Sequence, residues 1–209
     1  MQIQEKLSFE TWPAAPEKET LEGQNKVLGF WLFLGGETVL FATLFATYLA
    51  LKDSVPGPGH ALAKDLFSMP LVFLMTMLLL TSSLTSVYAI YHMKNFNAKK
   101  MKFWFVVTVL LGLGFLACEI YEFNHYVRDF NHTFSSSAFG SAFYTLVGFH
   151  GAHVIFGLGW ITGLVVRNWR RELSLYTAPK FYLASLYWHF IDVVWVFIFS
   201  VVYLMGMVG

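Results

Sequence analysis

The chain has 209 residues, of which 56% are apolar, 19% aromatic and only 13% charged, and its mean hydropathy is +0.56. Soluble domains carry about 25% charged residues, so this composition excludes an ordinary soluble domain. A formal net charge of +1 excludes a strongly basic nucleic-acid-binding surface, and a single cysteine, Cys118, excludes a disulfide framework and a cysteine-rich metal or iron–sulfur site.

Residues 1–26 form a polar, proline-containing segment. It has no basic start followed by a short apolar core and a small-residue cleavage site, which is unlike a signal peptide. We therefore expect a polar cytoplasmic N-terminal segment, with the first membrane span acting as its own insertion signal.

Five uninterrupted apolar segments follow, each at least as long as the roughly 20 residues that a bilayer helix needs. Their hydropathy is continuous rather than alternating, which favours helices over the strands of a barrel. The sequence therefore predicts an all-α polytopic membrane protein, a bundle of five transmembrane helices forming one domain over residues 27–209. The predicted helices lie at about 27–51, 70–91, 103–126, 138–166 and 181–207.

The distribution of Lys and Arg predicts the orientation of this bundle. Eleven of the 14 lie before helix 1 or in the loops that join helices 2 to 3 and 4 to 5, and only three lie on the other side. The positive-inside rule then places the N-terminus in the cytoplasm and the C-terminus outside. The run Pro56-Gly57-Pro58-Gly59 predicts an outward loop. The three residues on the outer side are Lys52, Lys64 and Arg128.

The candidate functional residues are the ionisable side chains inside the spans. Burying such a side chain in a membrane costs free energy, so each one is by default a candidate for a functional role. Glu37 stands alone on helix 1. The others form three pairs spaced i, i+3, so that each pair shares one helix face. These pairs are Glu119 and Glu122 on helix 3, His150 and His153 on helix 4, and His189 and Asp192 on helix 5.

Two interpretations of these pairs remain open. Carboxylates and imidazoles at this spacing build di-iron sites in helical bundles, which would suit a di-metal membrane oxygenase. Alternatively, each pair is a polar cluster that hydrogen-bonds one helix to another. Counting along the helices at about 1.5 Å per residue puts Glu37, His189 and Asp192 about 12–16 Å from the cytoplasmic end. The same count puts the other four about 20–28 Å in, so two separate tiers are predicted.

Small residues predict where helices approach closely. They are Gly112 and Gly114 on helix 3, and Gly157, Gly159 and Gly163 on helix 4.

Four sequence motifs resemble subunit III of the haem–copper terminal oxidases. The most specific are GFHGAHV at Gly148–Val154 and YWHFIDVVW at Tyr187–Trp195. FWLFLGGE at Phe30–Glu37 and CEIYE at Cys118–Glu122 match the family at the corresponding places. The likeness runs from about Val27 to Gly209 and is greatest for the short Bacillus-type cytochrome c oxidase form, with the menaquinol oxidases next.

The resemblance implies a chain without a redox cofactor of its own, in a complex of the bacterial cell membrane that reduces dioxygen to water and pumps protons. Haem and copper are expected in partner subunits. The implied partners are oxidase subunits I and II, a small subunit IV and membrane phospholipids. In this family subunit III supports proton uptake and protects the catalytic core. Longer members have two additional N-terminal helices that form a lipid-filled cleft, so another subunit would have to supply them here.

The resemblance also assigns roles by position. Glu37 corresponds to the family's buried membrane glutamate, and Arg167 to a basic position associated with lipid phosphate. No catalytic or metal-binding residue is implied in this chain, and His150, His153, His189 and Asp192 fall on the family's polar motifs.

The surroundings of Glu37 predict its protonation state. It lies among apolar residues in a span without Lys or Arg, and Asp192 at similar predicted depth adds like charge. We expect a neutral carboxylic acid at pH 7, hydrogen-bonded across helices or facing subunit I or a lipid. A proton-coupled transporter is the third functional alternative, which the lack of an internal repeat disfavours.

Overall fold

The computed structural model describes residues 11–52, 69–130 and 138–208, and within these ranges the chain is helical, with no strand. In this part of the chain, five helices are long and apolar enough to cross a membrane, which confirms the predicted all-α class. They are α1 (Leu21–Leu51), α2 (Met69–Lys94), α3 (Ala98–Phe130), α4 (Ala138–Arg167) and α5 (Ala178–Ile198). A π-helical segment, Phe199–Leu204, and a last turn, Met205–Val208, continue α5.

Several helices extend beyond the predicted spans, and the longest extensions are at their N-terminal ends. Helix α1 begins at Leu21 because the Thr20 hydroxyl accepts a hydrogen bond from the Gly23 amide and caps the helix. At the start of α3 the Asn97 side chain accepts from the Lys100 amide in the same way. Hydropathy marks only the apolar part of a helix, whereas the capped polar turns continue beyond it. The predicted loop at 56–59 lies outside the described residues, as does Lys64.

Helices α2 to α5 form a ring in which each packs against the next and α5 closes onto α2. Helix α1 lies outside this ring, against α4 and α5. The segment before α1, the α2–α3 turn and the α4–α5 loop meet at one end of the bundle. There the Trp12 indole donates to the Met93 carbonyl at 3.1 Å, and the Lys102 ammonium donates to the Trp169 carbonyl at 3.0 Å.

Hydrogen bonds between buried side chains fasten α2 to its neighbours. The Trp188 indole donates to the Ser82 hydroxyl at 2.9 Å, and the Trp195 indole donates to Thr76 at 3.1 Å. Polar side chains hold membrane helices together because lipid gives apolar helices little hydrophobic reason to associate. The polar run at 81–86 in an otherwise apolar span marks the position of Ser82, whereas nothing in the sequence marks Thr76.

Close packing at glycine is confirmed for two of the five predicted positions. A Cβ atom at Gly112 would lie 2.8 Å from the Trp188 ring, and one at Gly157 would lie 3.1 Å from the same ring. The other three are not closely packed within the described part of the chain. A Cβ at Gly114 would have ordinary spacing to Leu78, and no described atom beyond the local helix would lie within 4 Å of a Cβ at Gly159 or Gly163. Sequence alone cannot tell which face of a helix meets a neighbour.

Candidate functional site

Glu37 and His153 form a hydrogen-bonded pair between α1 and α4. His153 Nε2 lies 3.1 Å from Glu37 Oε2, and the two side chains are 16% and 17% exposed. On its other side, His153 Nδ1 lies 2.7 Å from the Phe149 carbonyl oxygen. A carbonyl only accepts, so Nδ1 carries a hydrogen and Nε2 is the atom that shares a proton with Glu37. The ring of Phe41 packs beside the imidazole at a centroid distance of 5.0 Å.

This pairing corrects the two tiers predicted from the sequence. Because α1 begins at Leu21, Glu37 lies about 24 Å from the start of its helix rather than about 15 Å. His153 lies about 21 Å from the end of α4 at Arg167, at a matching depth. Asp192 is also about 21 Å into its helix, but the hydrogen-bond partner of Glu37 is His153.

Glu122 is a buried acceptor for two tyrosine hydroxyls. Tyr126 donates to Oε1 at 2.6 Å and Tyr203 donates to Oε2 at 2.8 Å. Tyr126 is one helical turn along α3, whereas Tyr203 belongs to the π-helical segment after α5. Glu122 therefore links α3 to the C-terminal part of the bundle. Tyr126 could have been found from its i+4 spacing, but nothing in the sequence pairs Glu122 with Tyr203.

Glu119 lies on the face of α3 that meets α4. A Cβ at Gly151 would be 2.8 Å from Glu119 Oε2, so the carboxyl group in its present position packs directly against this glycine. Glu119 is 3% exposed, and its Oε1 has no hydrogen-bond partner within the described part of the chain. The i, i+3 acids on α3 are thus both buried but have different surroundings.

His150 is fully buried at the centre of the ring of helices. Its Nε2 lies 3.3 Å from the carbonyl oxygen of Ile191 on α5, so Nε2 carries a hydrogen. Nδ1 has no partner among the described residues. The rings of Phe115 and Trp195 pack around the imidazole at centroid distances of 5.8 and 5.3 Å. His150 therefore faces α3 and α5, whereas its pair-mate His153 faces α1.

His189 and Asp192 share one partner on α2. The Ser83 hydroxyl lies 2.6 Å from His189 Nδ1 and also interacts with the Asp192 carboxyl group. His189 Nε2 lies 3.5 Å from Ser185, whose hydroxyl is 2.7 Å from that of Ser86. Ser83 is thus a common neighbour of both members of this pair.

The pairs do not converge on a common point. Across residues 11–52, 69–130 and 138–208, no three His, Cys, Asp or Glu side chains are arranged to hold a metal ion. Nor do the imidazoles on α4 and α5 oppose one another, since His150 faces Ile191 and His189 faces Ser83. The donor set therefore does not fit a di-metal centre, and it does not fit a haem with two histidine ligands.

Arg167 is the last residue of α4 and is exposed. It shares this end of the bundle with Lys180, whose ammonium lies 3.7 Å from the centroid of the Tyr176 ring. The hydrogen bond and positive charge of Lys180 lower the pKa of the Tyr176 hydroxyl.

Comparisons with known proteins give a consistent result. The cytochrome c oxidase subunit III family matches residues 19–207. Cytochrome c oxidase subunit 3 of Bacillus sp. (strain PS3) is 72% identical, and that of Bacillus subtilis (strain 168) is 69% identical, each over 100% of both chains. Quinol oxidase subunit 3 of Bacillus subtilis (strain 168) is 47% identical over 94% of this chain and 95% of its own length.

Five membrane helices joined by buried acids, imidazoles and hydroxyls define a multi-pass membrane subunit of the haem–copper oxidase class. Within that class, the chain belongs to the cytochrome c oxidase subunit III family, and it is more similar to the cytochrome c oxidase subunits above than to the quinol oxidase subunit. The resemblance found in the sequence is thereby confirmed.

Proposed function

We propose that this chain is a non-catalytic subunit of a proton-pumping cytochrome c oxidase and holds no redox centre of its own. The observation that carries the proposal is how the buried polar side chains are used. Glu122 binds two tyrosines, His153 binds Glu37 and His189 binds Ser83, so these groups join helices rather than point at a common ligand. Haem and copper then belong to the partner subunits.

The partners in this proposal are oxidase subunits I and II, a small subunit IV and phospholipids of the bacterial cell membrane. The packing of helix α1 supports the presence of partners. Among the described helices, α1 makes substantial contact only with α4 and α5. Its outer face leaves Leu28, Leu32 and Val39 more than 60% exposed. In a bilayer that face is available to lipid or to a neighbouring subunit.

The proposed electron donor of the complex is cytochrome c, with menaquinol as the alternative. Identity of 72% and 69% to cytochrome c oxidase subunits, against 47% to a quinol oxidase subunit, favours cytochrome c. Electrons would enter through another subunit, so the test uses the purified complex. Oxygen consumption should be supported by reduced cytochrome c, and support by a menaquinol analogue alone would favour the alternative.

We propose two roles for this chain in the complex: stabilising subunit I and supporting its proton uptake. Glu37 is the candidate residue for the second role, since it is an acid that shares a proton with His153 inside the membrane. In the alternative, the Glu37–His153 pair only fastens α1 to α4. The other polar pairs are proposed to be structural, and Arg167 to contact a lipid phosphate.

Deletion of the chain tests the accessory role. The complex that remains should retain its haem spectrum and some oxygen reduction, with activity that declines during turnover or with impaired proton pumping. Re-expression of the full chain in the deletion strain is the control and should restore sustained activity. Loss of the haem spectrum while subunit I is still present and folded would contradict the proposal.

Purification of the chain alone tests the absence of a redox centre. We expect no visible haem absorption and no stoichiometric transition metal, because in the described part of the chain no three of the imidazoles and carboxylates are arranged to hold a metal ion. Stoichiometric iron or copper in the isolated chain would overturn the assignment. The i, i+3 pairs would then be the first residues to mutate as ligands.

A further inference from the structure

A basic pocket lies where the α2–α3 turn meets the α4–α5 loop. Its cavity has a volume of about 630 Å³, within the range of small-molecule sites. Four of its lining side chains are cations and one is an acid, so its formal charge is +3. The charged residues are Lys99, Lys102, Arg170, Arg171 and Glu172.

Lys102 is the fixed part of this pocket. It is only 9% exposed, and its ammonium donates to the carbonyl oxygens of Trp169 at 3.0 Å and Arg171 at 2.7 Å. An ammonium group has three N–H donors, so one N–H of Lys102 remains for a further acceptor. No carboxylate in the described part of the chain pairs with Lys102. A buried cation held only by carbonyl dipoles favours an anion beside it.

The other cations have no acidic partner either. Lys99, Arg170 and Arg171 are exposed, and none of them forms an ion pair within the described residues. By contrast, Lys94 on the same turn is neutralised by Glu17 at 3.6 Å. The four cations of the pocket therefore form a local cluster of positive charge without an acidic partner in the described part of the chain.

The walls beside these cations are apolar. Phe96, Trp169 and Leu173 line the pocket, and the Trp169 ring is 57% exposed at the end of a membrane helix. Tryptophan at a helix end prefers the level of the lipid headgroups. Two guanidinium groups can each bind phosphate oxygens in a bidentate manner, which a single ammonium cannot do.

We propose that this pocket binds a phosphate-bearing anion, held by Lys102 from within and by Lys99, Arg170 and Arg171 at its mouth. The phosphate belongs either to the headgroup of an anionic phospholipid or to a free phosphate compound. The site is distinct from Arg167, which is not part of the pocket lining.

The test compares two double variants of the full chain, purified in mild detergent with whatever subunits accompany it. Arg170→Gln with Arg171→Gln removes two pocket charges while keeping the Arg171 carbonyl that Lys102 binds. Lys18→Gln with Lys100→Gln is the matched control, because it removes two exposed charges from the same end outside the pocket. Binding is measured by native mass spectrometry with dioctanoyl-phosphatidylglycerol, dioctanoyl-phosphatidylcholine or pyrophosphate.

The pocket variant should bind the preferred anion at least about tenfold more weakly, while the control retains wild-type affinity. Preference for phosphatidylglycerol without competition from pyrophosphate identifies a lipid headgroup; saturable pyrophosphate binding without lipid preference identifies a free phosphate compound. Equal affinities in wild type and pocket variant, or an equal loss in the control, would overturn the proposal. Loss of another subunit from the pocket variant would also overturn it, because the pocket would then be a protein interface.

Discussion

The hydrogen bonding of His153 restricts the charge states open to Glu37. Since Nδ1–H donates to the Phe149 carbonyl, one proton lies between Nε2 and Glu37 Oε2. The pair is therefore either a neutral acid with a neutral imidazole or a carboxylate with an imidazolium. Both states are neutral overall, which is how a membrane interior accommodates an acid without Lys or Arg nearby. Glu37 can exchange a proton with His153 without any change in net charge.

The first prediction is that Glu37 is the protonated partner at pH 7. Infrared difference spectra of the complex should then contain a protonated carboxyl band that Glu37→Gln abolishes. Glu22→Gln, which removes an exposed acid from the same helix, is the control and should leave the band unchanged. A Glu37 that is ionised across neutral pH would refute this prediction.

Proton uptake by Glu37→Gln should also be slower than wild type at raised pH. An unchanged uptake rate would mean that the Glu37–His153 pair is a purely structural link.

The second prediction concerns the tyrosine that reaches Glu122 from another helix. Tyr203→Phe removes one of the two hydroxyl donors from a buried carboxyl group and should lower the free energy of unfolding by about 1–3 kcal/mol. The measurement is unfolding by denaturing detergent. Tyr121→Phe removes an exposed hydroxyl from α3 and should have little effect. Equal stability of the two variants would argue that Glu122 does not depend on Tyr203.

At the level of helices, two local features determine how α5 meets its neighbours. Gly112 and Gly157 leave space for the Trp188 ring between α3 and α4. Farther along, the π-helical segment Phe199–Leu204 changes the helical repeat over the turn that carries Tyr203 to Glu122. A π turn holds more residues than an α turn, so it rotates the side chains that follow. The helix can thereby place both Trp195 and Tyr203 in the interior.

The third prediction compares two glycines on α3. Alanine at Gly112 would place a Cβ 2.8 Å from both Leu158 and Trp188, so Gly112→Ala should destabilise the fold by about 1–3 kcal/mol. At Gly114 the nearest atom would be 3.7 Å away, and alanine favours helix, so Gly114→Ala should be neutral or stabilising by up to about 1 kcal/mol. Unfolding in denaturing detergent distinguishes them. A larger loss at Gly114 would contradict the packing described here.

At the scale of the whole molecule, the basic segments come together. The segment before α1, the α2–α3 turn and the α4–α5 loop are joined by contacts such as Trp12 to Met93 and Lys102 to Trp169. Ten Lys and Arg residues of the described chain lie in these segments or in the adjoining two turns of the helices. A bundle with that charge at one end is expected to keep this end in the cytoplasm.

The fourth prediction is this orientation. In a Cys118→Ser background, Lys100→Cys should be unreactive towards an impermeant maleimide added to intact cells, whereas Gly57→Cys should react. Permeabilised cells provide the control, in which both positions should be labelled. Labelling of residue 100 alone in intact cells would invert the proposed topology.

The sequence by itself determined the class of the protein and the number of helices. Twenty or more continuous apolar residues have one stable arrangement in lipid, because every backbone hydrogen bond must be made within the segment. The family was also readable from Gly148–Val154 and Tyr187–Trp195. Helix ends were less predictable, since capped polar turns such as that at Thr20 lie beyond the apolar segment.

Only the tertiary structure decided which polar groups meet. Glu37 with His153, Glu122 with Tyr203 and His189 with Ser83 are pairs on different helices, and helical spacing specifies a face but not what lies opposite it. The relative depth of Glu37 and His153 was also mispredicted. An error at the start of α1 shifts the predicted depth of every residue on that helix relative to α4. The basic pocket likewise exists only where two separate loops meet around Lys102.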